Sequence, residues 1–351
     1  MVESNKPLVL VTGGSGFIAV HIMLKLLEQG YRVRATLRTM SRQDEVRDML
    51  RSGGVTSFEG LSFIQADLSH DQNWGDAVKG AEYVIHVASP TPNKVYKDEN
   101  EMIQPARDGV LRVLRAARDA GVKRVVLTSA FGAIGVGHKN HKGPFTEKDW
   151  SNTDANIHPY QKSKTIAEKA AWEFIRQEGN GLELATVNPV GVMGPILGND
   201  YSHSNISIRQ MLESNQKYVP KIYSDYVDVR DVADLHLLAM LRPEANGERF
   251  IASSAETLSM LDIANILRKH LGKDAKNAPK GELPNSLVRA IAIFKPQLRM
   301  IATLLGKDMS TSNQKAKRLL GWTPRSAEEA ISATGKSMIK IIKEKKKSLK
   351  I

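Results

Sequence analysis

From Leu8 onward, short apolar runs alternate with longer stretches of helical periodicity. The runs are Leu8–Thr12, Tyr31–Leu37, Leu61–Ala66, Tyr83–Val87, Val122–Thr128 and Leu182–Val187, and almost all are apolar on both faces. Helix-like segments separate them, notably one reaching Gln29, then Glu101–Ala120 and Tyr160–Gln177. Strands joined by helical crossovers pair in parallel, with the crossovers right-handed and the helices covering both faces of the sheet. Strands covered on both faces need apolar residues throughout rather than at alternate positions. The pattern predicts an α/β chain built on a doubly wound parallel sheet. After about residue 190 the regularity fades. Gly191–Pro220 is rich in Gly, Ser and Asn, and helix-like stretches follow at Val229–Leu241, Met260–Leu271, Leu287–Leu305 and Ala327–Lys347. These predict a smaller, mostly helical lobe.

The first run leads directly into Thr12-Gly13-Gly14-Ser15-Gly16-Phe17-Ile18-Ala19, which opens the first helix. Gly13 permits a tight turn, and Gly16 lets backbone approach a pyrophosphate at the positive end of the helix dipole. Ala19 is small enough for close helix–strand packing. Between a strand and a helix such a loop is a dinucleotide cradle of the Rossmann kind. Residues 1–190 are then the dinucleotide-binding domain carrying the catalytic residues. Residues 191–351 are mainly a substrate lobe, with 226–253 packing back on the first domain. The second strand ends Arg34-Ala35-Thr36-Leu37-Arg38. An acid at this point would hold the ribose 2′-hydroxyl of NAD, whereas guanidinium suits a 2′-phosphate. The expected cofactor is NADP(H), with Arg38 the main contact and Arg34 the alternative.

Tyr160-Gln161-Lys162-Ser163-Lys164 opens a strongly helical segment. Positions i and i+4 share a helix face, so Tyr160 and Lys164 are neighbours. A free phenol has a pKa of about 10, and a nearby ammonium lowers it. The tyrosine can then give a proton to a developing alkoxide.

Taken in order, TGGSGFIA, VIHVASP (Val84–Pro90), LTSAFGAIG (Leu127–Gly135), YQKSKTIAEKAAWEF (Tyr160–Phe174), NPVGVMGP (Asn188–Pro195), YVDVRDVADLH (Tyr226–His236) and LGWTPRSAEEAI (Leu320–Ile331) span nearly the whole chain. Together they resemble the extended short-chain dehydrogenases. The likeness is greatest to the branch with plant dihydroflavonol reductases, cinnamoyl-CoA reductases and microbial aldehyde or methylglyoxal reductases. The resemblance implies a Tyr160 general acid, with Lys164 as its partner and a ligand of the nicotinamide ribose. It implies Asp67 and Leu68 near the adenine, Val87, Ala88 and Ser89 along the cofactor, and Pro189 and Val190 bordering the nicotinamide. Thr12, Gly13, Ser15, Gly16, Phe17 and Ile18 would be cofactor-binding residues. Tyr226 to Asp231 would be largely architectural. Family members usually read Thr-Ser-Ser after the fifth strand, the second serine bonding the substrate carbonyl. Here the run is Thr128-Ser129-Ala130. Ser129 is the expected replacement donor, with Thr128, or reliance on Tyr160 alone, as alternatives. The implied activity is NADPH-dependent reduction of an aldehyde or ketone, with Pro90–Val95, Phe131–His141 and Gly191–Ser207 shaping the pocket. A nucleotide-sugar epimerase or dehydratase holding NAD is the rival reading, and a non-catalytic NADP(H)-sensing protein a more distant one.

The 351 residues include no cysteine, which excludes disulfides and thiolate metal sites. The net charge is +12, and Lys336 to Ile351 carries seven lysines against one glutamate. Lysines near a helix C-terminus suit its dipole, and none is interleaved with an aromatic. Nucleic acid is therefore not the expected partner; a small-molecule carbonyl substrate is. No apolar leader precedes Leu8, and Arg289, Lys295, Pro296 and Arg299 interrupt Leu287–Leu305, so a cytoplasmic protein without a membrane partner is expected. Homodimers are common in related folds, but no interface is legible. His138 and His141 fall in a Gly- and Lys-rich loop without nearby acids, and no metal is expected. His86 reads as a packed core residue.

Overall fold

The computed structural model describes residues 6–90, 98–198, 203–214, 216–294 and 301–348. The strands, in chain order, are β1 (Leu8–Thr12), β2 (Arg32–Leu37), β3 (Leu61–Gln65), β4 (Ala81–His86), β5 (Arg124–Thr128), β6 (Glu183–Pro189), β7 (Gly191–Met193), β8 (Tyr218–Pro220), β9 (Tyr223–Asp228), β10 (Arg249–Ala252), β11 (Thr257–Ser259) and β12 (Gly281–Leu283). The helices used below are α1 (Phe17–Glu28), α2 (Gln43–Ser52), α3 (Trp74–Val78), α4 (Asn100–Asp119), α5 (Pro159–Glu178), α6 (His203–Glu213), α7 (Val229–Leu241), α8 (Met260–Leu271) and α9 (Asn285–Phe294).

Seven strands form one sheet in the order β10-β6-β5-β4-β1-β2-β3, with every neighbouring pair parallel. This is the doubly wound sheet that the alternation predicts. The expected strand runs all lie in it, with ends shifted by up to two residues. The seventh strand, β10, has only four residues, too short a run to stand out in the sequence. The second lobe also carries more β-structure than its helical pattern suggests. β9 pairs with β7 in parallel and with β11 antiparallel, and β8 pairs with β12. Of the expected helix Leu287–Leu305, the structure describes α9 and a turn at 301–304; residues 295–300 lie outside the described residues, as does the end of the lysine-rich tail. Among the described residues no helix is long and apolar enough to cross a membrane.

Side chains alternate between the two faces of the sheet. Val9, Val11, Val33, Ala35, Ile85, Val126 and Val187 pack under α1, α2 and α7. Leu10, Val84, Val125, Leu127 and Leu184 pack under α3, α4 and α5. Two strand arginines fasten helices to this sheet. Arg34 of β2 donates to the carbonyls of Asp76, Ala77 and Lys79 at the end of α3, at 3.0, 2.9 and 2.8 Å. Arg124 of β5 donates to those of Ala239, Met240 and Arg242 at the end of α7, at 2.9, 3.1 and 2.6 Å. Both satisfy carbonyls that a helix C-terminus leaves without intrahelical partners. Toward the C-terminal edge of the sheet the α5 face turns polar, through Thr12, His86, Ser129, Thr186, Asn188 and Arg249, all buried.

Candidate active site

The glycine loop turns sharply at Gly13, whose φ is +69°. A Cβ at Gly13 would stand 3.0 Å from Ala88 Cα, and one at Gly14 would stand 2.8 Å from Ala35 Cβ. Glycine is therefore required at both by the protein itself. Gly14 N donates to Thr36 O and Gly16 N to Gly13 O, each at 2.9 Å. No side chain caps α1 at Gly16, and no acid stands in its first turn. Its first N–H groups are a cradle for an anion. Ser15, Gly16 and Ile18 are partly exposed there, while the Phe17 ring turns inward against His21. Thr12 differs from its expected role. Its Oγ1 accepts from Val87 N and Ala88 N, both at 3.0 Å, and lies 2.8 Å from His86 Nδ1. The residue is fully buried, so it ties β1 to the segment after β4 and holds Ala88 over Gly13.

With two N–H donors on its oxygen, Thr12 gives its own proton to His86 Nδ1. The imidazole is then the neutral Nε2–H tautomer. Burial, helped by the Lys164 charge, lowers its pKa to about 3. The Nε2 is buried and has no hydrogen-bond partner among the described residues.

At the end of β2, Arg38 is exposed where an acid would serve NAD. Arg34, the sequence alternative, is corrected by its three carbonyl contacts: it is spent on α3. Sequence reasoning missed Arg42, four residues beyond Arg38. It pairs with Glu45 and donates to Ser15 Oγ at 3.0 Å, which brings a second guanidinium to the glycine loop. Asp67 accepts from Ser69 N at 2.8 Å, and this bond holds its carboxyl below the usual range.

Pro159 at the first turn and the His158 side chain, which accepts from Tyr160 N, start α5. Tyr160 is partly exposed and Lys164 is 8% exposed. The Lys164 Nζ lies 5.8 Å from the centre of the Tyr160 ring, as their spacing predicts. Burial lowers the lysine to about 8, against the raising effect of Glu168. Burial also raises the Tyr160 phenol, opposing the lowering expected from the ammonium alone.

Ser129 needs a correction. Its Oγ donates to Glu168 Oε2 at 2.5 Å in a buried cluster, so its proton is engaged there. Strand alternation sends Thr128 to the opposite face. His236 Nδ1 is 2.8 Å from Val232 O and so donates to it, which leaves Nε2 to accept from Thr128 Oγ1 at 2.7 Å. Both hydroxyl protons are engaged within the protein, on His236 and on Glu168. Beside this pair Pro189 is buried and Val190 partly exposed, as are Val87, Ala88 and Ser89 across the sheet edge. The pocket segments Pro90–Val95 and Gly191–Ser207 lie partly outside the described residues, at 91–95 and 199–202. His141 stacks on Phe145 with centroids 3.8 Å apart, and His138 adjoins both rings. Among the described residues no group of three or more His, Cys, Asp or Glu could hold a metal ion.

The sequence profile of the NAD dependent epimerase/dehydratase family matches residues 9–252. The chain belongs to this family. The NADPH-dependent methylglyoxal reductase of Saccharomyces cerevisiae is 31% identical over 351 residues, covering 95% of this chain and 98% of that one. The cinnamoyl-CoA reductase 1 of Petunia hybrida is 33% identical over 339 residues, covering 94% and 91%. A crystal structure of the yeast methylglyoxal/isovaleraldehyde reductase complexed with NADPH matches with a TM-score of 0.79 at 28% identity, covering 96% of this chain and 99% of that one. These relatives come from the branch that the motifs resemble.

Proposed function

We propose that this member of the family is an NADPH-dependent reductase that turns small aldehydes or ketones into alcohols in the cytoplasm. The observation that carries the reading is Lys164, a nearly buried ammonium one helical turn from Tyr160, on the helix that covers the polar edge of the sheet. Such a charge stabilises the tyrosinate left when Tyr160 gives its proton to a carbonyl oxygen. When bound, the nicotinamide would supply the hydride. The cradle suits the dinucleotide: two glycines that the packing requires, an uncapped helix N-terminus, and arginines in place of the acid. Arg38 and Arg42 would hold the 2′-phosphate. Asp67 and Leu68, just beyond β3, would lie near the adenine. Residues 1–190 would supply this site, and most of 191–351 would close over the substrate. With alanine at position 130, Tyr160 would be the sole side-chain donor to the substrate oxygen.

The test is oxidation of NADPH and of NADH against 2-oxoaldehydes, aliphatic and aryl aldehydes, ketones and cinnamoyl thioesters. Turnover with NADPH preferred, and lost in Tyr160→Phe, is expected. No turnover with any carbonyl, together with copurifying NAD, would favour an epimerase or dehydratase.

A further inference from the structure

Beneath the Tyr160–Lys164 pair lies a buried polar cluster that proton transfer, as described, does not use. Glu168, one turn beyond Lys164 on α5, is fully buried. On its Oε2 converge Ser129 Oγ at 2.5 Å and Asn188 Nδ2 at 2.7 Å. On Oε1 converge Arg249 Nε at 2.6 Å, Thr186 Oγ1 at 3.2 Å and Trp172 Nε1 at 3.3 Å. Five donors thus converge on one buried carboxylate. Arg249 is itself held in place. It donates to the carbonyls of Glu147 and Asp149 at 2.7 and 2.9 Å, and its guanidinium lies 3.7 Å from the Trp150 ring centre.

Glu168 thus has a cation on either side, Lys164 on its own helix and Arg249 on β10. Lys164 Nζ donates no hydrogen bond to another described residue. Its remaining titratable neighbours are Tyr160 and, from β4, His86, whose neutral tautomer adds no charge. The chain around α4, which packs along α5, contributes the pairs Lys162–Glu99 and Arg118–Glu178, whose acids are exposed. Burial alone disfavours an ammonium at this depth, and Glu168 is the anion that opposes that effect at Lys164.

We propose that Glu168 is a positioning residue for the reaction: a buried carboxylate, shared between Arg249 and Lys164, that keeps the Lys164 side chain charged beneath Tyr160. Arg249 moderates the effect by taking part of the carboxylate's field. The inference rests on the reading of Lys164 as the ammonium that supports Tyr160.

The experiment is the pH profile of kcat/KM for NADPH-dependent carbonyl reduction in the wild type, Glu168→Gln and Arg249→Met, with Tm measured on each. In the wild type the rate is expected to fall on the alkaline side, because burial lowers the Lys164 pKa to about 8. Glu168→Gln removes the anion and is expected to move this alkaline limb down by about one pH unit. Arg249→Met leaves Glu168 to Lys164 alone, with four donors still on the carboxylate, and is expected to move the limb up. Opposite displacements are the signature of a charge effect. A purely architectural cluster would lower Tm in both variants and leave the limb in place, and that outcome overturns the proposal. Should only one variant fold, the sign of its displacement decides. Lys164→Met separates the two levels: if it retains turnover, the reading of Lys164 has failed. If it is inactive while the limbs stay fixed, only the role of Glu168 has failed.

Discussion

Arg38 and Arg42 have different local duties, and the difference can be measured. Arg38 is exposed and its guanidinium has no hydrogen bond among the described residues, whereas Arg42 is already joined to Glu45 and Ser15. A charge-assisted hydrogen bond contributes about 1.5–3 kcal/mol. Arg38→Asp should therefore weaken NADPH by roughly ten- to a hundredfold and leave NADH within a few-fold, by fluorescence titration of both nucleotides. Equal losses for the two would remove Arg38 from the 2′-phosphate. Ser129 tests the corrected reading of the fifth strand's end. Ser129→Ala removes one of five donors to a buried carboxylate, so a stability loss of about 1–3 kcal/mol is expected. Its kcat should stay within about fivefold of the wild type, far short of the 10²–10³ that losing an oxyanion donor costs. A hundredfold loss of kcat with unchanged Tm would return the hydroxyl to the substrate.

At the scale of elements, the strands buried on both faces were legible because burial on two sides leaves little but Val, Ile, Leu and Ala. Tyr160 and Lys164 were legible because a helix brings i and i+4 together whatever surrounds it. The buried cluster that holds the Ser129 hydroxyl was not, because its other members come from α5, β6 and β10. Those contacts depend on which way each residue at a strand's end faces. Arg34 stayed an alternative to Arg38 for the same reason: the sequence places it near the end of β2 but does not show that α3 ends against it. Arg124 repeats this device at α7, more deeply buried and also paired with Glu183. Arg124→Met would strand three carbonyls at the end of α7, together with the carboxylate of Glu183. A loss of about 2–4 kcal/mol is expected, read as a lower urea midpoint. A change below 0.5 kcal/mol would mean that α7 does not need this anchor.

Across the whole molecule, three buried histidines make stability depend on acid. Burial holds His21 near 4, His86 near 3 and His236 near 4. In the unfolded chain each protonates through its ordinary value of about 6.5. A lowered folded-state value gives stability that is complete above 6.5 and is lost as pH falls toward 4. Each histidine contributes up to about 1.4 kcal/mol per pH unit in that window. Glu147 and Asp231, whose carboxyls burial pushes up, act in the opposite sense. The urea midpoint should therefore decline from about pH 6.5 downward; a midpoint unchanged to pH 5 would show that these imidazoles are not neutral and buried. The position of β10 bears on how the molecule is made. Six strands of the sheet are complete in the chain by Pro189, but the seventh is not reached until Arg249. On a ribosome, the helix bearing Tyr160, Lys164 and Glu168 emerges well before the guanidinium that compensates Glu168. Closing so long a loop is slow relative to local pairing. Until it closes, the nascent chain has most of its sheet and its glycine loop, but the carboxylate at its centre lacks the second of its two cations and one of its five donors.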